Sequence, residues 1–155
     1  MNFSIEVRPP FLDHELVNLI NSLPVNLKFD IKRRKIMSDS LYERIGGPGS
    51  IKEIATSLFK NHKSNPTVNN RYVNSDPDEV IRLVTEFMCN GFGGPEEYTG
   101  KDMITAHTSM NISEEEFNAV IDDMMAALDE NNIDQGIKDE ILAILWSLRT
   151  EVIKL

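Results

Sequence analysis

The histidine at position 107 is the residue of this chain that is best placed for metal chemistry. It ends the segment MITAH, residues 103–107. If this segment is helical, Met103 and His107 lie four residues apart on one face. Two interpretations are open at this point. The imidazole is either a core histidine whose ring nitrogens bond to the backbone, or an axial ligand to a metal such as iron.

Length and composition predict one ordinary protein domain. The chain has 155 residues, of which 41% are hydrophobic and 26% are charged, which is typical of a globular protein with a sizeable core. No apolar run is long enough to cross a membrane, and the first twenty residues do not resemble a secretory signal. The single cysteine, Cys89, is predicted to be a buried small hydrophobe, and a reducing, cytoplasmic location is expected.

The distribution of charge argues against nucleic acid as a partner. The formal net charge is −9, and the acidic excess lies in residues 39–155. An acidic body repels the phosphate backbone. We therefore expect no nucleic-acid and no membrane partner.

The segments that must position His107 all have helical periodicity. Apolar residues recur every three or four positions in four long segments, and no alternating strand pattern is present, so the fold class is predicted to be all-α. Capping boxes predict helix starts at Ser50 with Glu53 and at Ser113 with Glu116. Asp76 followed by Pro77 predicts another helix start. Residues 89–106, with four glycines and one proline, predict an irregular connection that leads to the short helix of His107.

Six short motifs, in order, resemble those of the group I truncated haemoglobins. The resemblance covers residues 40–152, and the motifs are SLYERIGG at 40–47, NPTVN at 65–69, FGGP at 92–95, YTG at 98–100, MITAH at 103–107 and FNAV at 117–120. It implies a truncated globin, a two-over-two helical sandwich around haem b, in residues 39–155.

The same resemblance implies roles for individual residues. His107 is expected to be the proximal ligand of the haem iron and Met103 a contact on the proximal side. Phe87 is expected to pack on the haem from the distal helix. Tyr98 and Val120 are expected to line the same pocket. His62, which lies close to a helix end, is expected to be exposed or to cap that helix.

The expected distal side departs from the family pattern. Most relatives have a tyrosine at the position of Phe59, where its hydroxyl donates to the bound ligand, and phenylalanine has no donor. The positions that face the ligand from the distal helix are Val80, Leu83 and Val84, where relatives often have polar residues. Tyr72 aligns with a phenylalanine in many relatives. Two interpretations of Tyr72 stay open, a ligand contact or a half-buried ring with its hydroxyl in water.

Residues 1–38 are predicted to be an extension outside the globin domain. The stretch IEVRPPFLDHELV at 5–17 resembles a fragment of the synthetase domain of asparagine synthetases. The extension lacks a nucleotide-binding loop and is too short for an independent domain, so we assign it no catalysis.

The leading functional hypothesis is a haem protein that reversibly binds a diatomic gas, in oxygen transport, storage or sensing. The alternative is a nitric oxide dioxygenase that depends on an external reductase. Stable oxygen binding benefits from a nearby hydrogen-bond donor, so an apolar distal pocket weakens the alternative. A helical interaction module without haem is a third possibility.

Overall fold

The computed structural model describes residues 39–155, and the predicted extension, residues 1–38, lies outside them. Residues Ser40–Leu155 form one compact unit. Six α-helices and two 3₁₀ turns follow in chain order: α1 Leu41–Ile45, α2 Gly47–Ser64, the turn Asn69–Tyr72, α3 Pro77–Gly91, α4 Met103–His107, α5 Glu114–Glu130, α6 Gln135–Ser147 and the turn Arg149–Glu151. These residues contain no strand, only one isolated bridge between Ile112 and Ile153. The all-α prediction is confirmed.

Local signals account for most of the helix ends. At α5 the hydroxyl of Ser113 accepts from the backbone N–H of Glu116, whose carboxylate accepts from the backbone N–H of Ser113. This is the predicted capping box, which satisfies two free backbone donors. Asp76 caps α3 and Pro77 is its first residue, also as predicted.

The helix start predicted at Ser50 is wrong. Ser50 lies inside α2, and the capping box of this region belongs instead to Ser40 and Glu43 at the start of α1. The reason is Gly46, which has φ +104°. A left-handed residue of this kind ends α1 and lets α2 begin at once, without a side-chain cap.

The long helices bury their apolar stripes in one main core. Helix α2 packs against α3 and α5, and α5 packs against α6. Ile51, Ile54 and Leu128 have no exposed surface in this core. Each buried side chain of this size stabilises the fold by about 1.5–3 kcal/mol. Cys89 is also fully buried, and its burial raises the pKa of the thiol to about 11, so the prediction of a small buried hydrophobe is confirmed.

The glycine-rich connection between α3 and α4 is anchored to α1. The hydroxyl of Tyr42 donates to Glu96 at 2.7 Å, and the backbone N–H of Tyr42 donates to the carbonyl of Phe92 at 3.0 Å. At Gly94 a Cβ would lie within 2.6 Å of the Tyr42 ring, so only glycine allows this close approach. These contacts hold the segment that delivers α4.

The main polar contact buried between α2 and α5 involves His62. Nδ1 of His62 lies 2.7 Å from Oδ2 of Asp123, and both residues are buried. The expectation that His62 is exposed or caps a helix is therefore wrong, because the inner face of α2 includes this position. Burial lowers the pKa of the imidazole, and this effect outweighs the opposing effect of its hydrogen bond to Asp123.

The lowered pKa of His62 predicts a pH-dependent stability. Between that value and the ordinary value of 6.5, the unfolded chain binds a proton that the folded chain does not. The free energy of unfolding of the full chain should therefore decrease as the pH falls below about 6.5, by at most about 1.4 kcal/mol per pH unit from this residue. The charged group that faces the imidazole is the Asp123 carboxylate on α5, and the Tyr72 ring covers it from the 3₁₀ turn.

Urea unfolding at a series of pH values on both sides of 6.5 measures this dependence. The variant His62→Asn retains an N–H that can reach Asp123 but does not titrate, so its stability should depend less on pH. Equal pH dependence in the two proteins would show that His62 has the same pKa folded and unfolded.

Candidate functional site

An apolar cavity with a volume of about 490 Å³ lies beside the segment that carries His107. It lies between the first 3₁₀ turn, the beginning of α3, helix α4, the N-terminal half of α5 and the end of α6. The residues on its wall are Val68, Arg71, Tyr72, Ser75, Val80, Met103, Ala106, His107, Met110, Ile112, Glu116, Phe117, Val120, Leu145, Leu148 and Val152. A volume of this order, with mostly apolar walls and a few polar groups, is typical of a cofactor site.

His107 contributes an imidazole whose tautomer is determined by its hydrogen bond. Nδ1 lies 2.7 Å from the backbone carbonyl oxygen of Met103, one helical turn earlier. Because a carbonyl oxygen only accepts, Nδ1 must carry a proton, and in the neutral imidazole Nε2 therefore keeps its lone pair. Nε2 makes no hydrogen bond to any residue within 39–155. An imidazole held in this way can donate an electron pair to a metal.

Helix α4 is short, and its ends are tied to neighbouring segments. The carboxylate of Asp102 caps it, accepting from the backbone N–H of Thr105 at 2.9 Å and from its hydroxyl at 2.7 Å. Beyond its end, the guanidinium of Arg71 donates to the carbonyl of Met110 at 3.0 Å. These contacts hold His107 at the cavity wall.

The described residues do not bring together enough metal-binding side chains to hold a metal ion without a prosthetic group. Residues 39–155 contain no group of three or more His, Cys, Asp or Glu side chains that could hold a metal ion. A single imidazole matches instead a metal whose other positions are filled by a prosthetic group, as in haem.

Tyr72 presents a phenol on another part of the same wall. Its ring is stacked on the imidazole of His62, with centroids 5.0 Å apart and planes 14° apart. The ring of Phe59 meets it at an angle of 87°, with a centroid distance of 6.0 Å. Burial is the main cause, and the charge of Asp123 the second, of a Tyr72 pKa raised to about 12. The phenol is therefore protonated at neutral pH, and its hydroxyl donates to no residue in the described part of the chain.

An ion pair between Arg71 and Glu116 lies on the wall of this cavity. Nε and one terminal nitrogen of Arg71 donate to the two carboxylate oxygens of Glu116, at 2.8 and 3.1 Å. These hydrogen bonds lower the pKa of Glu116 to about 2. A bidentate pair of this geometry fixes the 3₁₀ turn relative to α5.

The structure brings half of the sequence-predicted site residues together. The cavity wall contains His107, Tyr72, Met103, Val80 and Val120.

The other five predicted residues do not lie on this wall. Phe59 lies behind Tyr72 in the core. Phe87 and Tyr98 pack edge to face on each other, with centroids 5.4 Å apart. Val84 packs against the main core cluster and Leu83 is half-buried. The predicted contacts of these five residues with a cofactor stay predictions.

Sequence reasoning did not assign several of the wall residues to the site. Phe117, Leu145, Leu148 and Val152 belong to apolar stripes of helical period, so the sequence predicts their burial but not the cavity. Arg71 and Glu116 are 45 residues apart, and no local pattern links them.

A family model described as bacterial-like globin matches residues 40–154. A second model, asparagine synthase, matches residues 1–48. The two matches correspond to the globin domain and the N-terminal extension that the sequence motifs distinguish.

Curated relatives that match this chain are truncated haemoglobins. The group 1 truncated haemoglobin of Tetrahymena pyriformis is 27% identical over 74% of this chain and 94% of that protein. The protein of the same description from Tetrahymena thermophila is 26% identical over 66% of this chain and 82% of its own length.

Solved structures agree with these relatives. A crystal structure of the Tetrahymena pyriformis truncated haemoglobin, a tyrosine-to-phenylalanine mutant in the Fe(III) form, matches with a TM-score of 0.73 at 27% identity, covering 76% of this chain and all of that one. The 2/2 haemoglobin of Synechococcus sp. PCC 7002, with covalently attached haem, matches with a TM-score of 0.67 at 26% identity, over 72% of this chain and 94% of that one. The fold is thus the two-over-two globin fold expected from the sequence, and the chain belongs to the bacterial-like globin family.

Proposed function

We propose that this protein binds haem b in the cavity beside α4, through Nε2 of His107, and reversibly binds a diatomic gas. Membership of the family implies a haem cofactor and gas binding. The observation that carries the proposal is the hydrogen bond from Nδ1 of His107 to the carbonyl of Met103. It leaves Nε2 as an electron-pair donor on the wall of an apolar cavity.

The residues of the cavity fit a flat, largely apolar group that carries a metal. Met103, Val120 and Phe117 offer apolar contact area, and His107 offers one axial nitrogen. Haem, when bound, would supply an iron that binds the gas. The chain supplies the proximal base, the dry surroundings and the distal donor.

Tyr72 is the proposed distal donor. Phe59 and Val80 have no polar side-chain atom, whereas the Tyr72 hydroxyl is protonated and without a partner in residues 39–155. A hydrogen bond from this hydroxyl would stabilise a polar bound gas such as oxygen more than carbon monoxide.

Nitric oxide dioxygenation with an external reductase is the second hypothesis, and a cytoplasmic location is expected for either function. No described residue favours a particular reductase, so reversible gas binding is the simpler proposal. The yield of nitrate per nitric oxide consumed, in the presence of a reductant, separates the two activities.

Removal of the proposed proximal ligand should release haem. We expect His107→Gly to lower the haem content of the purified protein by more than about tenfold, because only one protein bond to the iron is proposed. Added imidazole should restore a Soret band, because it replaces the missing side chain. The control is Ile104→Ala, at an exposed position on the same helix, which should retain haem. Wild-type haem content and an unchanged ferrous spectrum in His107→Gly would overturn the assignment.

Removal of the proposed distal donor should accelerate oxygen release. A hydrogen bond in a dry pocket is worth roughly 1–3 kcal/mol, so Tyr72→Phe should raise the oxygen dissociation rate by about five- to a hundredfold. Carbon monoxide dissociation should change much less, and Phe59→Tyr should slow oxygen release by adding a donor. Stopped-flow absorption measures all three rates.

Thr56→Val is the control for this prediction, because it removes a hydroxyl that donates to the backbone carbonyl of Lys52 within α2 and does not line the cavity. An oxygen dissociation rate unaffected by Tyr72→Phe would show that this hydroxyl does not reach the gas.

The extension is proposed to lie outside the haem-binding domain. The bacterial-like globin model matches residues 40–154, and every described residue on the wall of the cavity lies beyond position 67. Deletion of residues 1–38 should therefore leave the haem content and the carbon monoxide spectrum unchanged. Loss of haem on truncation, measured by absorption at equal protein concentration, would assign the extension to the pocket.

A further inference from the structure

The buried pair of His62 and Asp123 has no role in the function proposed so far. It joins α2 to α5 directly behind Tyr72, and the imidazole of His62 is the surface on which the Tyr72 ring is stacked. Burial of a carboxylate is costly unless hydrogen bonds compensate it. The position of such a pair behind a cavity residue calls for an explanation beyond packing.

We propose that His62 and Asp123 form a positioning pair, which fixes the plane of the Tyr72 ring and so determines how well the Tyr72 hydroxyl can donate to a bound gas. The gas-binding consequence rests on the proposed function, whereas the ring orientation itself does not.

The first step is that Asp123 is held firmly. Its Oδ2 accepts from Nδ1 of His62 at 2.7 Å, and its Oδ1 accepts from the amide of Asn65 at 2.9 Å. The amide of Asn61 donates to its backbone carbonyl at 3.3 Å. Both carboxylate oxygens are therefore used, and the carboxylate orientation is determined by α2 and by the residue that ends it.

The second step is that Asp123 fixes the imidazole. The carboxylate can only accept a hydrogen bond, so Nδ1 of neutral His62 must carry the proton and the tautomer is determined. A hydrogen bond of 2.7 Å from the ring nitrogen Nδ1 to the carboxylate also restricts rotation of the ring about its last bond. The plane of the imidazole is thus set by α5.

The third step is that the imidazole and Phe59 together fix the phenol. The stack on His62 contacts a face of the Tyr72 ring, and Phe59 meets the ring almost at a right angle. The Tyr72 hydroxyl has no hydrogen bond within residues 39–155 that would orient it. Ring packing alone therefore determines where the hydroxyl points. Contacts of this kind contribute about as much as a weak hydrogen bond, so their loss should leave the phenol less well oriented.

The test measures ring orientation and gas release in the same proteins. The full chain is labelled with ring ¹³C-tyrosine, and the NMR signals of its three tyrosines are assigned with Tyr72→Phe. Two variants separate the components of the pair. His62→Asn retains a donor for Asp123 but removes the stacked ring, and Asp123→Ala retains the ring but removes its anchor.

The matched control is Asn131→Ala. Asn131 also links the end of α5 to α2, through a 3.1 Å hydrogen bond to the hydroxyl of Ser57, but it does not line the cavity. It therefore reports the effect of weakening the contact between the same two helices away from Tyr72. Unfolding in urea, measured for each variant, shows how far stability changes.

We expect both pair variants to shift the Tyr72 signal and to raise the oxygen dissociation rate by about two- to tenfold, while the control changes neither. In the Tyr72→Phe background the same substitutions should no longer change the rate, because their effect passes through the hydroxyl. The pair variants could also destabilise the protein. The comparison of oxygen dissociation rates with and without the Tyr72 hydroxyl still tests the proposal, because the pair substitutions cause the same loss of stability in the Tyr72→Phe protein.

Two results would overturn the proposal. An unchanged Tyr72 signal in both pair variants would show that the pair does not orient the ring. Equal rate effects with and without the Tyr72 hydroxyl would show that the pair acts by another route. Failure of the proposed function would give a different result. The Tyr72 signal would still respond to the pair variants, but either the protein would bind no haem or Tyr72→Phe would leave the oxygen dissociation rate unchanged.

Discussion

The hydrogen bond from Nδ1 of His107 to the carbonyl of Met103 is the interaction on which the proposed chemistry depends. It determines which ring nitrogen carries the proton and which one has a lone pair to donate. The bond lies within one turn of α4, so its geometry is a consequence of helix formation in five residues. Everything that holds α4 in place therefore also holds the candidate ligand, including the Asp102 cap and the anchored connection from α3.

The two sides of the cavity are organised by different means. His107 is oriented by a local backbone contact, four residues away. Tyr72 is oriented by contacts over long sequence distances, since the Asp123 that anchors its stacking partner His62 lies 61 residues from that histidine. The proximal side is accordingly a property of one short segment, whereas the distal side depends on the packing of α2 against α5. Substitutions in the core between these two helices should affect the distal side first.

The features that the sequence predicts correctly are those that depend on local residue patterns. The helical period gave the all-α class, and the capping box at Ser113 marked the start of α5. Motif resemblance placed His107, Met103, Tyr72, Val80 and Val120 near one another, and all five lie on one cavity wall. Periodicity did not determine which positions of α3 face the cavity, because Leu83, Val84 and Phe87 belong to the same stripe as core residues.

The buried polar contacts escaped prediction for a physical reason. Histidine is a polar residue, and its side chain is buried only where a hydrogen-bond partner lies within reach. The local sequence does not show whether such a partner is present. The sequence predicts that His62 is exposed or caps its helix, yet the Asp123 carboxylate on α5 accepts its hydrogen bond in the core. The partly exposed pair of Arg71 and Glu116 was not predicted for the same reason, because its two residues are 45 positions apart in the chain. Long-range partners of this type require the fold to be known first.

Anomalous diffraction at the iron absorption edge, from crystals of the haem-loaded full chain, is the most direct test of the central claim. The account predicts one iron peak within bonding distance of Nε2 of His107, with Nδ1 still bonded to the carbonyl of Met103. An iron peak at His62, or haem bound away from the cavity beside α4, would contradict it.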